Sequence, residues 1–119
     1  MKENVVKNKS FDFALRVVKM YQFLCEQKKE FALSKQLLRS GTAVGALVRE
    51  AEQAESPADF IHKMAIALKE ANETEYWIEL LFQANYIDEP SYNSIKTDST
   101  EILKLLISII KTTKQNAKK

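Results

Sequence analysis

The side chains of this sequence that are best suited to metal binding or acid–base chemistry are a group of glutamates and one histidine. The glutamates follow His62 and lie within ten residues of one another, at Glu70, Glu73, Glu75 and Glu79. Di-metal sites in helical bundles combine two Glu-x-x-His pairs with two further glutamates. Only Asp59-x-x-His62 approaches that spacing, and the sequence has no second histidine. We therefore expect no metal, no other cofactor and no enzymatic activity.

Two catalytic alternatives can still be formulated from these residues. In the first, Glu70, Glu73 and His62 form a metal-binding or enzymatic site within a bundle. In the second, Cys25 is a nucleophile and His62 is its base. Cys25 falls on the apolar face of a predicted helix, where free cysteines are usually unreactive packing residues. The second alternative is therefore disfavoured, and metal analysis of the purified protein would test the first.

A structural role explains the glutamates better, because a cation is expected opposite them. If the segments before and after Glu55 form an antiparallel helical hairpin, Arg39 lies level with Glu70 and Glu73. A guanidinium group can bind a carboxylate through two parallel hydrogen bonds. We predict an ion pair that neutralises a partly buried charge and fixes the register of the bundle or of its subunits.

Apolar residues at three- and four-residue spacing predict four helices, at about residues 10–28, 34–54, 57–85 and 91–113. Ser56-Pro57 is the clearest helix start, because serine can cap and proline favours the first helical position. Ser10 and Ser34 are the predicted N-caps of the first two helices. Two glycines and two prolines in 119 residues favour long helices with short connections. We predict one domain, residues 1–119, with an all-α fold: an antiparallel up-down-up-down four-helix bundle.

The first two helices have the most informative apolar faces. The predicted face of the first consists of Phe11, Ala14, Leu15, Val18, Tyr21, Leu24 and Cys25. On the second helix, Gly41 and Gly45 lie one turn apart, and each costs about 1 kcal/mol relative to alanine. No strand precedes them, as a phosphate-binding loop would require. We interpret the pair as a site of close helix packing rather than of ligand binding.

Apolar residues also extend beyond the main faces of the last two helices. A helix that is apolar over so wide an arc is either central in its fold or contacts another subunit. We predict an oligomer interface at Ile66, Trp77, Leu103 and Ile107. The alternative for Trp77 is that it closes the edge of the core.

The end of the chain is basic, because no acid follows Glu101 and five lysines do. Such a tail is usually a frayed and solvated helix end. The alternative is a fringe that contacts a polyanion such as RNA when it is repeated around an oligomer. The residues predicted for that contact are Lys111, Lys114, Lys118 and Lys119.

Composition limits the remaining classes of function. The formal net charge of +2 does not by itself indicate nucleic-acid binding. The single cysteine excludes an internal disulfide and fits a reducing compartment. The N-terminal residues lack the apolar stretch of a signal peptide, and no apolar run approaches the roughly 20 residues of a membrane span. We expect a soluble, cytoplasmic protein.

Four segments of the chain carry a family resemblance: FLCEQKKEFALSKQ (23–36), LLRSGTAVG (37–45), Glu50-Ala51 and SPADFIHKMAIALKEANETEYWIELL (56–81). In these segments the sequence resembles the four-helix-bundle protein family, also called the 23S rRNA intervening-sequence proteins. Ala43 and Leu47 depart from the family, which often has serine and asparagine there. Within these segments we assign the ion-pair and family-motif residues as Arg39, Glu50, Glu70 and Glu73.

The resemblance implies an up-down bundle that assembles into a homo-oligomer, commonly a pentamer. Some members are encoded within insertions in 23S rRNA genes. A related branch, the accessory variability determinants of diversity-generating retroelements, binds a reverse transcriptase and its RNA. That branch is strongly basic, unlike this chain, and the family supplies no catalytic residue to carry over.

The sequence therefore predicts a non-enzymatic, oligomeric helical scaffold or adaptor. The candidate partners are RNA, a nucleic-acid-processing enzyme, or the protein partner of a mobile-element or toxin–antitoxin accessory protein. A metal-binding or enzymatic bundle is the alternative.

Overall fold

Four α-helices account for most of residues 4–117, which are the residues that the computed structural model describes. The helices are α1 (Val5–Lys28), α2 (Leu33–Ala51), α3 (Pro57–Gln83) and α4 (Glu89–Ala117). Residues 4–117 contain no strand, so the predicted all-α class is confirmed. The bundle measures 51 × 22 × 21 Å. Within this range, no helix has both the length and the apolar character that crossing a membrane requires.

Contacts between neighbouring helices show that they run antiparallel. From α2 to α3, Arg39 contacts Glu73 and Glu50 contacts Lys63, so residue numbers rise along one helix while they fall along the other. Residue numbers also run in opposite directions along α3 and α4, where Glu75 bonds Thr100 and Glu79 bonds Tyr92. The same is true of α1 and α4, which are joined by the Lys9–Glu101 and Arg16–Asp98 ion pairs. Short connections between such helices produce an up-down bundle.

Helix α1 begins five residues earlier than predicted, and Ser10 is not its N-cap. The N-cap position is Asn4, whose side chain makes no capping hydrogen bond. Ser10 is fully buried inside the helix, and its hydroxyl donates to the carbonyl oxygen of Lys7 at 3.1 Å. The extra turn places Val6 in the core, where it is 7% exposed.

Helix α2 is capped by a glutamate rather than by the predicted Ser34. The buried carboxylate of Glu30 accepts hydrogen bonds from the backbone N–H groups of Ala32, Leu33 and Ser34, at 3.1, 2.9 and 2.7 Å. The Ser34 hydroxyl instead donates to the Glu30 carbonyl oxygen at 2.7 Å. Glu30 therefore supplies the acceptors that the first turn of a helix lacks.

The other helix ends lie near the predicted ones. Ser56 caps α3 as predicted, since its hydroxyl accepts from the N–H of Asp59 at 3.1 Å and Pro57 is the first helical residue. Helices α2 and α3 end three and two residues earlier than expected, at Ala51 and Gln83. Helix α4 is longer than expected at both ends. It begins at Glu89, where the Asp88 carboxylate accepts from the N–H of Ser91 at 2.8 Å.

The predicted apolar face of α1 was wrong in its rotation over the first turns, although Leu24 is fully buried as predicted. The residues of α1 that enter the core are Val6, Ser10, Phe13, Val17 and Leu24. Phe11 and Leu15, expected in the core, are each 47% exposed. The core face is displaced around the helix because Ser10 and Val17 contact α2 at the two glycines.

Gly41 and Gly45 lie where α1 packs closely against α2. A Cβ at Gly41 would lie 2.8 Å from both γ-carbons of Val17, which is fully buried. A Cβ at Gly45 would lie 3.3 Å from the carbonyl oxygen of Ser10. The space of the missing side chains is thus occupied by α1.

Gly41→Ala is expected to destabilise the fold, because the new methyl group overlaps a β-branched side chain that cannot move into open space. Overpacking of about 1–3 kcal/mol exceeds the gain in helix propensity of about 1 kcal/mol. We predict a net loss of about 1 kcal/mol in urea unfolding, the midpoint of that cost less the gain in propensity. Gly45→Ala is the matched control and should cost less, since its contact is longer. A Gly41→Ala protein as stable as the wild type would contradict the close-packing role.

Glu30→Gln is expected to lower the free energy of unfolding by about 1–2 kcal/mol at neutral pH, the usual value of a helix cap or a charged hydrogen bond. Burial alone would raise the pKa of Glu30, but the N–H donors of Leu33, Ser34 and Ala32 lower it below its ordinary value.

The sign of the pH dependence follows from that lowered pKa. The carboxylate stabilises the fold above the pKa of the unfolded chain, about 4.3, and this contribution is lost as the pH falls through the lower folded pKa. The difference between the wild type and Glu30→Gln should therefore shrink when unfolding is measured in acid. The exposed Glu26→Gln is the control, and an undiminished difference at about pH 3 would exclude the charged cap.

Candidate partner-binding surfaces

The side of α3 that faces α2 carries the predicted ion pair. Arg39 Nη2 lies 2.5 Å from Glu73 Oε2, and its Nη1 lies 3.4 Å from Glu70 Oε1. The group is more exposed than expected, because the Arg39 side chain is 52% exposed. It therefore lies on the surface and is not a buried latch. Nearer the connection between the two helices, Glu50 of α2 pairs with Lys63 of α3 at 3.2 Å.

Trp77 belongs to the same polar group. Its indole Nε1–H donates to Glu73 Oε2 at 3.0 Å, and the half-buried ring packs against the core. This hydrogen bond, followed by that from Arg39, lowers the pKa of Glu73 below its ordinary value. Beneath the ion pair, the buried hydroxyls of Thr74 and Ser40 lie 3.0 Å apart. The arrangement orients a tryptophan at the α2–α3 surface and holds one carboxylate in its charged form.

The residues of the metal-binding alternative do not come together. His62 is exposed and lies eight residues before Glu70 on the same helix, a separation of about 12 Å along the axis. Glu70 and Glu73 both bond to Arg39. Within residues 4–117, no three histidine, cysteine, aspartate or glutamate side chains are grouped so that they could hold a metal ion. The Cys25 thiol lies 3.8 Å from the Ser34 hydroxyl, at the α1–α2 contact, and His62 lies on α3.

The four predicted interface residues lie on two different surfaces of the bundle, one where α3 meets α2 and one where α4 meets α3. Ile66 and Trp77 share the α2-facing flank, because they are spaced at whole turns from Glu70 and Glu73. Leu103 and Ile107 are on α4, on the side of Thr100, which bonds Glu75 across the α3–α4 contact. Ile107 is 52% exposed and the other three are half-buried. The structure thus does not unite them in one patch.

A further apolar surface is formed by residues of α1, four of which the sequence assigned to the apolar face of the helix: Phe11, Leu15, Val18 and Cys25. We call it the outer seam of α1, and it consists of Asn8, Phe11, Leu15, Val18, Gln22 and Cys25. The exposed Phe11 and Leu15 are its centre, and Arg49 of α2 lies over the Phe11 ring at 5.1 Å from the centroid. A groove of about 310 Å³ runs beside it, lined by Phe11, Ala14, Thr42, Gly45, Ala46 and Arg49. The alternating spacing of three and four residues in the seam was the signal that could have revealed a second packing face.

The predicted polyanion contact can be located in part. Lys111 and Lys114 are exposed on the last turns of α4, and Lys118 and Lys119 lie outside the described residues. Two further lysines, Lys69 of α3 and Lys104 of α4, are also exposed. Sequence reasoning did not connect Lys69 with this group, since they are distant along the chain.

Comparisons with known proteins agree with this architecture. The family model described as 23S rRNA-intervening sequence protein matches residues 2–108. The chain is also similar to a crystal structure of a protein with unknown function from the S23 ribosomal protein family, from Bacteroides thetaiotaomicron VPI-5482. The two share 65% sequence identity with a TM-score of 0.89, over 90% of this chain and 99% of that one. No curated protein matches the sequence.

Trp77→Phe is expected to raise the pKa of Glu73 toward its ordinary value, because it removes the indole N–H donor while keeping an aromatic ring. NMR titration of the side-chain carboxyl groups measures this shift. Tyr76→Phe is the control, since Tyr76 meets Trp77 only through a ring contact at 4.9 Å between centroids. An unchanged Glu73 pKa in Trp77→Phe would show that the indole does not bond the carboxylate in solution.

Proposed function

This chain belongs to the 23S rRNA-intervening sequence protein family, and from that premise we propose that it acts as a homo-oligomeric helical scaffold or adaptor. The similar protein from Bacteroides thetaiotaomicron is described as having unknown function, so no activity is transferred from it. The observation that carries the proposal is the outer seam of α1.

The outer seam has the properties of a helix-packing surface. Phe11 and Leu15 lie one turn apart, are each 47% exposed and are bordered by the small residues Ala14 and Ala46. Burial of apolar surface stabilises association by roughly 25 cal/mol per Å² before the costs of binding. Residues at alternating three- and four-residue spacing can pack as knobs into the holes of a facing helix. In our proposal, that helix belongs to a second copy of the chain.

The seam is a better interface than the flank that contains Leu103 and Ile107. The flank exposes one large apolar side chain, Ile107 at 52%, whereas the seam exposes two, Phe11 and Leu15, beside a groove of about 310 Å³. A ring would also need a second, different surface on each subunit, and the half-buried Ile66 and Trp77 are our candidates for it.

Light scattering of the full chain tests the proposal. We expect a mass well above the 13.7 kDa of one chain at micromolar concentration, and about five times that value if the pentamer implied by the resemblance forms. A protein that remains monomeric under these conditions would contradict the proposal.

Leu15→Glu is expected to weaken the assembly at least about tenfold, which corresponds to about 1.4 kcal/mol, because it places a charge in the contact. Its matched control is Ile107→Glu, which introduces the same charge at a residue of similar exposure on α4. The mass should fall for Leu15→Glu and stay unchanged for the control. The reverse result would place the interface on the α3–α4 flank instead.

A further inference from the structure

Four exposed lysines lie on the outward side of the α3–α4 pair, and we call them the basic face: Lys69, Lys104, Lys111 and Lys114. The Glu75–Thr100 hydrogen bond fixes the register of the two helices. Lys69 precedes Glu75 by six residues and Lys104 follows Thr100 by four, which are axial distances of about 9 and 6 Å toward the same end of the bundle. Lys69 and Lys104 are therefore nearly level.

The acids near this face have other partners, and the Glu75 carboxylate at the α3–α4 contact accepts hydrogen bonds from the hydroxyls of Ser99 and Thr100. Helix α4 has no acid after Glu101, and Glu101 pairs with Lys9 of α1 at 3.0 Å. Helix α3 has no acid between Phe60 and Lys69, and Glu70, the next residue, bonds to Arg39 on the α2 side. Among residues 4–117, no carboxylate forms an ion pair with a lysine of the basic face. Four lysines without an ion-pair partner thus lie on one side of a molecule whose formal net charge is only +2.

The spacing of these charges suits a linear polyanion. Lys104, Lys111 and Lys114 extend over about 15 Å of α4, so one small anion could not neutralise them together. Lysine is a flexible point charge that binds phosphate without demanding a fixed geometry. A phosphodiester chain that runs along the basic face can meet several of the lysines in succession.

Exposed apolar and aromatic side chains accompany the lysines. Tyr76 is 58% exposed and lies two helical turns from Lys69 on the same side of α3. Ile107, which is 52% exposed, lies between Lys104 and Lys111. Unpaired bases stack on such aromatic rings, whereas the bases of a duplex are already stacked.

We infer that the basic face binds single-stranded nucleic acid, through its phosphates at the four lysines and through a base stacked on Tyr76. The inference rests on the proposed adaptor function and names the ligand of the adaptor. Repetition of the face around an oligomer would lengthen the strand that it can hold. Lysine contacts and stacking do not distinguish RNA from DNA, so both are included in the test.

The test measures binding of the full chain to fluorescently labelled 20-nucleotide oligo(U) and oligo(dT) by anisotropy, at several salt concentrations. With three to four phosphate contacts, a plot of log K against log salt should have a slope of about −2 to −3 for each bound face. Replacement of all four basic-face lysines by glutamine should lower the affinity at least tenfold. Tyr76→Ala should lower it at least fivefold.

The matched control replaces four exposed lysines on other parts of the surface, Lys19, Lys28, Lys29 and Lys35, by glutamine. It changes the net charge equally and should lower the affinity much less than the basic-face variant. Equal losses in both variants would overturn the assignment of the surface, and equally tight binding of a duplex of the same length would overturn the single-strand assignment. An oligomeric wild type that binds neither oligonucleotide would refute the inference and leave the scaffold in place. A monomeric wild type would refute the scaffold, and loss of binding in the basic-face variant would then still support the inference.

Discussion

The close approach of α1 and α2 at Gly41 and Gly45 fixes the rotation of α1, and the surfaces of the bundle depend on that rotation. Val17 fills the space beside Gly41, and Ser10 lies against Gly45. With these two residues turned toward α2, Phe13 enters the core, and Phe11 and Leu15 must remain outside. A side chain at Gly41 would force α1 to move or to turn, and the outer seam would change with it.

Helix α3 separates two surfaces of different electrostatic character. On its α2 side, Arg39 and the Trp77 indole surround Glu73, so the charges there are matched and the side chains are held in place. On its α4 side, Glu79 pairs with Lys96 at 3.9 Å, but none of the four basic-face lysines forms an ion pair within residues 4–117. Matched charges suit a contact between subunits, and unmatched positive charges suit a polyanion. In our account, the bundle therefore keeps assembly and ligand binding on different faces.

The sequence was sufficient to predict the class of fold, because three of the four helices have one dominant apolar spacing and the Ser56-Pro57 start is unambiguous. It was insufficient for α1, because two different sets of residues on this helix recur at three- and four-residue spacing. The outer one contains the larger Phe11 and Leu15, whereas the true core face includes the polar Ser10. Hydrophobicity favoured the wrong face, and only the helix contact at the glycines decides between them. The Glu30 cap was missed because glutamate is not a usual N-cap and acts here from outside the helix.

The candidate sites, too, could be predicted from the sequence only in part. The contact of Arg39 with Glu70 and Glu73 follows from counting residues along an antiparallel hairpin, but its exposure depends on how far the flank projects from the bundle. Lys111 and Lys114 are recognisable as the end of a basic tail. Lys69 joins them only through the register of α3 against α4, which the sequence does not specify.

The central claim is that a second copy of the chain covers the outer seam of α1. The most direct measurement is the rate of thiol labelling at Gln22→Cys, an exposed polar position of the seam outside its apolar centre. The conservative Cys25→Ser removes the only native thiol of the chain. The account predicts that labelling slows at least about tenfold as the protein concentration rises through the assembly range, while Ile107→Cys in the same background keeps a constant rate. A Gln22→Cys rate that is independent of concentration in a protein shown to be oligomeric would contradict the account.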